Sequence, residues 1–267
     1  MKRAVKMLLI ATISVVFVLS FIGCATVSSE SATDSAPIGI ISAMSSELEL
    51  LLENAEIDHT DVIGNTEYHV GKLAGKDVVL VQAGIGKILA SAGAATLINE
   101  YNVSSIIFTG IAGGVGDNTK VMDIVVSDDL VVHDYGDITN EGFVWDVNHG
   151  TDNGYIHADS TLADLAYETA LDVVGEGNVW RGTIATGDQF VASEWYVKEL
   201  QEKFDATACE MEGAAVALVA SQYNVPFVVI RCMSDKADGL AHGTYQNFMQ
   251  TASDNSAKIV ISMVESL

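Results

Sequence analysis

Cysteine, proline and basic residues are scarce in this chain of 267 residues. It has three cysteines, two prolines and 13 lysines and arginines against 36 aspartates and glutamates, which gives a formal charge of −23. Three cysteines cannot build a disulfide scaffold, and Cys209 and Cys232 lie in apolar runs typical of buried thiols. The shortage of basic residues argues against nucleic acid as a partner, because phosphate contacts need lysine and arginine. The hydrophobic content of 49% predicts a folded domain with a large core.

The N-terminal segment has the pattern of a targeting signal. Three basic residues among the first six precede the apolar run 7–23, and no acid occurs before Cys24. A basic start, an apolar middle and a small residue at the boundary predict a secretory signal peptide over residues 1–23. A plain cleaved signal and an uncleaved anchor helix stay open, since 17 apolar residues are marginal for spanning a bilayer.

The junction after the signal is similar to a bacterial lipobox, in which the cysteine is lipidated and becomes the mature N-terminus. Cys24 is therefore the expected lipidation site, although Phe21 stands where leucine is usual. We expect a polar tether over residues 24–36 and a single domain over 37–267. The expected location is the cell envelope, on the periplasmic or surface side of a bacterial membrane, held there by the lipid.

Short apolar runs alternate with helical segments from residue 38 onward, and this order predicts an α/β sheet covered on both faces. Buried strands are predicted at "IGIISA", "SSIIFTG", "MDIVVSDDLVVHD", "VWRGTIATG" and "PFVVIRCMS", and a hairpin at "EYHVGKLAGKDVVLVQAG". The interval 136–158 is predicted as loop-rich, and a final helix from about Thr244 to Ser266.

The sequence contains neither a nucleotide-binding motif nor a metal-binding motif. "GIGK" (84–87) is not a P-loop, because Ile88 stands where serine or threonine is needed. "GIAGGVG" (110–116) is not the dinucleotide-binding pattern GxGxxG, so no cofactor is expected. The six histidines have no metal-ligand spacing, so no metal is expected. His133 beside Asp134 is the one suggestive pair, and a structural histidine is the favoured interpretation.

Acids and glycines recur where buried strands end. Glu47 follows the first strand, glycines follow the third and fourth, and Asp235 follows "VVIRCM". In open α/β sheets, ligands lie outside the carboxyl ends of the strands, and glycine lets the backbone approach them closely. This pattern predicts a binding site at that edge.

Six segments together resemble one family. "IGIISAMSSELELL", "AGIGKILASAGAATLI", "TGIAGGVGDNTKVMDIVVSDDLVVHD", "ATGDQFV", "CEMEGAAVA" and "VPFVVIRCMSDKAD" are similar to successive signatures of the methylthioadenosine/S-adenosylhomocysteine nucleosidases of the purine nucleoside phosphorylase superfamily. The resemblance runs from about Ile38 to the C-terminus. It implies a three-layer αβα fold with a mixed central sheet, hydrolysis of the N-glycosidic bond of an adenine nucleoside, and a homodimer.

The resemblance also implies roles for individual residues. It implies Asp235 as the general acid toward purine N7, held by Ser234, Glu47 as the general base toward water, and Arg231 as a residue that helps to hold that water. Glu212 would accept hydrogen bonds from the ribose hydroxyls. The substrate-binding set that it implies is completed by Met44, Gly113, Phe190, Val191, Met211 and Tyr245.

The two glutamates of "CEMEGAAVA" pose a separate question, because acids at a helix start are favourable without any ligand. The resemblance implies that Glu210 orients the site, paired with Arg231, and a helix-cap role stays open for both glutamates. Ala83 departs from the serine that often helps to bind the water. The interval "YGDITNEGFVWDVNHGTDNG" departs from the family pattern as well, which leaves the 5′ substituent open.

Two alternatives to a nucleosidase remain at this point. A phosphate-dependent purine nucleoside phosphorylase would need arginines near the first and fourth strands, and "SAMSSELELL" and "FTGIAGGVG" contain none. A non-catalytic surface lipoprotein that binds nucleosides or serves adhesion is the other. The presence of Glu47, Glu212, Arg231 and Asp235 argues against it, since a pure binder would not need them.

Overall fold

The computed structural model describes residues 36–146 and 152–267. The predicted signal peptide, the lipidation site Cys24 and all but the last residue of the predicted tether lie outside the described residues. Within the two described ranges, no helix combines the length and the apolar character that a membrane span requires.

Twelve strands and six helices make up the part of the chain that the structure describes. The strands are β1 Ile38–Ser42, β2 Ala55–Ile63, β3 Thr66–Leu73, β4 Lys76–Gln82, β5 Ser105–Gly114, β6 Ile124–Val132, β7 Gly136–Thr139, β8 Gly142–Trp145, β9 Tyr155–His157, β10 Val179–Thr186, β11 Ala206–Glu210 and β12 Phe227–Asp235. The helices are α1 Ser45–Asn54, α2 Lys87–Tyr101, α3 Ser160–Val174, α4 Glu194–Phe204, α5 Gly213–Tyr223 and α6 Ala241–Ser266.

The central sheet is mixed, with the strand order β11-β10-β6-β12-β5-β1-β4-β3-β2 and β9 paired to β6. β5 is parallel to both β1 and β12, whereas β12 is antiparallel to β6. Because β11 also pairs with β5 through Cys209 and Gly113, the strands from β11 to β5 form a closed ring. This closure brings the carboxyl end of β11 beside those of β5 and β12.

Helices cover both faces of the sheet. In β1 the side chains alternate, so Ile38 and Ile40 pack into the core under α1, α3 and α6, and Ile41 packs into the core under α2 and α5. Both cores consist mainly of buried valine, isoleucine, leucine and alanine side chains, most of them fully buried. The predicted three-layer αβα fold with a mixed sheet is confirmed.

Three local predictions are wrong or incomplete. The interval 136–158 is loop-rich by prediction, yet it contains the hairpin β7–β8 and the short strand β9. The sequence pattern misses β2 and β11. β2 is mostly exposed at the sheet edge and is defined by backbone pairing with β3, so it carries no apolar signal. The last helix begins at Ala241 instead of Thr244.

Candidate active site

A cavity of about 370 Å³ opens where β1, β5, β11 and β12 end. It gathers ten of the site residues that the sequence predicts. They are Met44, Glu47, Gly113, Phe190, Val191, Met211, Glu212, Ser234, Asp235 and Tyr245. Arg231 lies behind the cavity wall, where only 1% of its surface is exposed.

Glu47 enters the cavity from the first turn of α1. Its Oε2 accepts hydrogen bonds from the N–H groups of Ala43 and Met44 at 2.9 and 2.8 Å, and its Oε1 accepts one from Ile111 at 3.0 Å. Burial raises the pKa of Glu47, while Arg231 and these N–H groups oppose the rise. The carboxylate is therefore fixed in position and made more basic than a solvated glutamate.

Arg231 is the buried cation of the site. Its Nη2 donates to Glu210 Oε2 at 2.6 Å and lies 4.0 Å from Glu212 Oε2, and its guanidinium stacks over Phe108 at 4.0 Å. Glu47 interacts with the same charge. One guanidinium thus stands among three buried carboxylates.

The side chain of Glu210 caps the beginning of α5. Its Oε2 accepts hydrogen bonds from the N–H groups of Glu212 and Gly213 at 3.0 and 2.7 Å. Thr186 donates its hydroxyl to Glu210 Oε1 and accepts from the N–H of Ala214 at 2.8 Å. Glu210 therefore combines the two roles that the sequence left open for it, the helix cap and the partner of Arg231.

Glu212 faces the cavity instead of capping the helix. Its Oε1 accepts a hydrogen bond from the backbone N–H of Gly86 at 2.8 Å, and Gly86 holds a φ of +96° that side chains rarely adopt. Burial, followed by the charge of Glu210, raises the pKa of Glu212 to about 8. The second carboxylate oxygen, 4.0 Å from Arg231 Nη2, is the one available to a hydroxyl donor in the cavity.

Asp235 ends β12 and is 3% exposed. Its Oδ1 accepts from the N–H of Ala237 at 2.7 Å, and its Oδ2 accepts from the Ser234 hydroxyl at 2.9 Å. Burial raises its pKa, although both hydrogen bonds favour the ionised form and limit the rise. A Cβ on Gly113 would come 2.9 Å from Ala237 Cβ and 3.0 Å from Asp235 Oδ1, so any side chain there would crowd this carboxyl.

Aromatic side chains form one wall of the cavity. Phe190 stacks on His242 at 4.5 Å between ring centroids and meets Tyr245 edge-on at 5.7 Å. The hydroxyl of Tyr245 lies 3.4 Å from Met44 Sδ. The sequence does not single out His242, because its position gives no signal until α6 is known to begin at Ala241.

The chemistry open to this arrangement follows from its groups. A carboxyl with a raised pKa can donate a proton, and a fixed buried carboxylate can accept one from water. The cavity also offers aromatic faces for a flat ring and a carboxylate acceptor for hydroxyl groups. Among the described residues, no group of three or more histidines, cysteines, aspartates and glutamates is arranged to hold a metal ion.

The sequence of this chain is similar to that of one family of known proteins. The profile of the phosphorylase superfamily matches residues 37–265. A 5′-methylthioadenosine/S-adenosylhomocysteine nucleosidase of Shewanella sediminis is 38% identical over 231 residues, which covers 86% of this chain and 99% of the relative.

Two solved structures illustrate the range of the match. The 5′-methylthioadenosine/S-adenosylhomocysteine nucleosidase of Neisseria meningitidis in complex with methylthio-immucillin-A is 36% identical, with a TM-score of 0.79 over 87% of this chain and 100% of that one. The futalosine hydrolase of Helicobacter pylori is 32% identical, with a TM-score of 0.77 over 86% of this chain and 98% of that one.

Proposed function

This chain belongs to the phosphorylase superfamily and, within it, to the family of 5′-methylthioadenosine/S-adenosylhomocysteine nucleosidases, and from that membership and the site we propose the reaction that it catalyses. It hydrolyses the N-glycosidic bond of 5′-methylthioadenosine, S-adenosylhomocysteine or a related adenine nucleoside and releases adenine. The observation that carries the proposal is the meeting of Glu47, Glu212 and Asp235 in one buried cavity.

Asp235 acts as the general acid in this proposal. Adenine leaves poorly as an anion, so its ring nitrogen N7 must gain a proton as the bond to the sugar lengthens. The burial of Asp235, which raises its pKa, supports a carboxyl that holds a proton for transfer. Ser234 orients the carboxyl through its hydroxyl.

Glu47 and Glu212 act on the sugar side. As the bond breaks, the ribose gains oxocarbenium character, which nearby carboxylates stabilise. Glu47 removes a proton from the attacking water, and its three backbone hydrogen bonds support a fixed orientation for that step. Glu212 accepts the ribose hydroxyl bonds through the oxygen that Gly86 leaves free.

Water, not phosphate, is the proposed nucleophile. The described residues that line the cavity include four acids, Glu47, Glu210, Glu212 and Asp235, and no lysine or arginine. Arg231, behind the wall, is already paired with Glu210. A phosphate dianion would therefore meet negative charge without a free cation. Ala83 offers no hydroxyl, so the water depends on Glu47 and backbone groups.

The 5′ substituent is the open part of the substrate. Met44 and Tyr245 give the cavity an apolar lining, which supports an alkylthio group. The similarity to a futalosine hydrolase supports testing larger 5′ groups beside methylthioadenosine.

A homodimer is part of the proposal. Ile85 lines the cavity and is 54% exposed, and the neighbouring Ile88 and Leu89 are 82% and 51% exposed. Apolar side chains exposed together favour burial against another protein surface, and a second copy is the proposed occupant. Sedimentation should give the mass of two chains for the parent and of one chain for Ile88→Asp. An unchanged mass in the variant would count against this surface.

Export and lipidation complete the proposal. The signal-like segment 1–23 and the lipobox-like Cys24 support a lipoprotein of the cell envelope.

The decisive experiment follows the products. The chain from residue 25 onward is incubated with methylthioadenosine with and without phosphate. Adenine and the free thio-sugar are expected at a rate that added phosphate does not change. A sugar 1-phosphate would instead identify a phosphorylase.

A further inference from the structure

Two motifs of the sequence are only partly explained by the chemistry described so far, because Lys87 and Asp134 have no role in it. One is "GIGK" (84–87), which fails as a P-loop, and the other is the pair His133–Asp134. In the structure both motifs meet Asp188, which directly precedes the segment 189–191 in the cavity wall.

Lys87, Asp134 and Asp188 form one polar cluster, called here the Lys87 cluster. The ammonium of Lys87 contacts the Asp134 carboxylate and lies 3.7 Å from Asp188 Oδ2. The N–H of Lys87 donates to Asp188 Oδ1 at 2.9 Å, and the N–H of Asp188 donates to Asp134 Oδ2 at 2.8 Å. Side chains and backbone of three separate segments are thus tied together.

The Lys87 cluster lies next to a hydrogen bond that reaches into the cavity. Gly86 precedes Lys87, and its N–H is the donor that holds Glu212 Oε1 at 2.8 Å. The direction of that N–H depends on the path of the chain into α2. Because the Lys87 cluster fixes this path at Lys87, it also fixes the donor that aims Glu212.

Burial distinguishes this cluster from an ordinary surface ion pair. The side chains of Lys87 and Asp134 are 22% and 12% exposed, so the burial belongs to this pair, while Asp188 is 47% exposed. By contrast, the pair Lys72–Asp77 joins two side chains that are 47% and 42% exposed. Solvent screens an exposed ion pair so strongly that it contributes little to stability. A partly buried ion pair is screened less and keeps its two side chains in place.

The segment after the cluster has a second support. Gly187 lies so close to the ring of His133 that a Cβ there would come within 2.4 Å of it. The N–H of Gly187 also donates to the Glu210 carbonyl at 3.1 Å. We therefore expect the segment 187–191 to stay anchored when the ammonium of Lys87 is removed. The chain at the beginning of α2 then loses its side-chain contact with Asp134 and keeps only the backbone bond from Lys87 to Asp188.

We propose that Lys87 is a positioning residue for ribose recognition, acting through Gly86 on Glu212, with Asp134 and Asp188 as its anchors. This inference rests on the proposed nucleosidase function and goes beyond it in assigning a role to residues outside the cavity. Loss of the ammonium should impair the handling of the ribose and leave purine binding intact.

The test measures two ligands in Lys87→Met, which removes the charge and keeps an apolar stem. The kcat/KM for methylthioadenosine should fall roughly 10- to 100-fold, as expected for a misplaced binding group. The dissociation constant of free adenine, measured by calorimetry, should stay within about threefold because Phe190 keeps its support. Lys87→Arg keeps the charge and should recover most of the activity.

Lys72→Met is the matched control, since it removes the same charge from an exposed pair of the β3–β4 hairpin. It should leave both quantities unchanged. An unchanged kcat/KM in Lys87→Met would overturn the proposal, as would equal losses for nucleoside and adenine, which mark a general loosening. If Lys87→Met does not fold, the same two quantities are measured in Asp134→Asn. An unchanged kcat/KM, or equal losses for nucleoside and adenine, would overturn the proposal there as well. A parent enzyme that cleaves no nucleoside would instead overturn the proposed function.

Discussion

Arg231 Nη2 lies 2.6 Å from Glu210 Oε2, and the two side chains are only 1% and 2% exposed. The same Glu210 oxygen also accepts two backbone N–H groups at the beginning of α5. A single carboxylate therefore neutralises the buried arginine of β12 and caps the helix that follows β11. The pair therefore ties β12 to the beginning of α5 beside the cavity.

Glu210→Ala should lower the free energy of unfolding by about 3–5 kcal/mol, because it leaves Arg231 charged and buried without its closest partner. Urea denaturation of the domain from residue 37 onward measures the change. The control is Glu202→Ala, which removes the exposed partner of Lys198 in α4 and should change the free energy by less than about 1 kcal/mol. Equal changes in the two variants would contradict the role assigned to the buried pair.

Asp235→Asn should reduce turnover of methylthioadenosine by about 10²- to 10⁴-fold, the usual contribution of a positioned acid. Asparagine can still donate a hydrogen bond to the purine but cannot transfer a proton. Adenine binding should therefore change much less than turnover. Steady-state kinetics and adenine calorimetry measure the two quantities.

A nitrophenyl riboside serves as the control substrate, because its leaving group departs without a proton. Its cleavage should be largely spared in Asp235→Asn. If the variant cleaves methylthioadenosine nearly as fast as the parent, Asp235 is not the acid, and its hydrogen bonds to Ser234 and Ala237 are those of a capped turn.

Glu212→Gln should weaken nucleoside binding far more than adenine binding. In the complex, hydrogen bonds donated by the ribose hydroxyls favour the ionised form of Glu212. The change keeps the size of the side chain but cannot supply that charge, and hydrogen bonds to charged groups contribute about 1.5–3 kcal/mol each. Calorimetry with a nucleoside inhibitor and with adenine makes the comparison. Equal weakening of both ligands would point to a defect at the start of α5.

Glu212 should also make the free protein less stable as the pH rises. Burial raises its pKa to about 8 in the folded state, against 4.5 for an unperturbed glutamate. Between these values the folded state binds more protons than the unfolded state, so the free energy of unfolding falls as the pH rises through this window. Below the window both states are protonated, and above it both are ionised.

The measurement is the melting temperature of the ligand-free domain from pH 5 to pH 8. In Glu212→Gln the decline over this range should be smaller than in the parent, and the remaining slope belongs to groups such as Glu47, whose pKa is also raised. Identical pH profiles for parent and variant would show that Glu212 does not titrate in this window.

Cys24→Ser tests the lipoprotein proposal in cells. The parent should partition with membranes into detergent and carry a lipid on its mature N-terminus, and the variant should lose the lipid and change in processing. Equal membrane retention with no shift in mature mass would favour an uncleaved anchor.

The fold class and most of the residues in the cavity could be predicted from the sequence alone. Alternating apolar runs and helical periods are set by neighbouring residues, so they are visible in the sequence. Short motifs such as "CEMEG" and "MSDKAD" can likewise be identified within a few consecutive residues. The resemblance of these motifs to the nucleosidase family is what selected Glu47, Glu212 and Asp235. The same local signal failed for β2, because an exposed edge strand is held by backbone pairing and needs no apolar pattern.

Only the tertiary structure decided what each polar residue contacts. Glu210 and Glu212 are the same type of residue two positions apart, yet one caps α5 against Arg231 and the other faces the cavity. Gly86 and Glu212 are 126 positions apart and share a hydrogen bond, and Lys87 joins Asp134 to Asp188 across three segments. Such contacts depend on the closure of β11 onto β5 and on burial, and neither is written in the local pattern of residues.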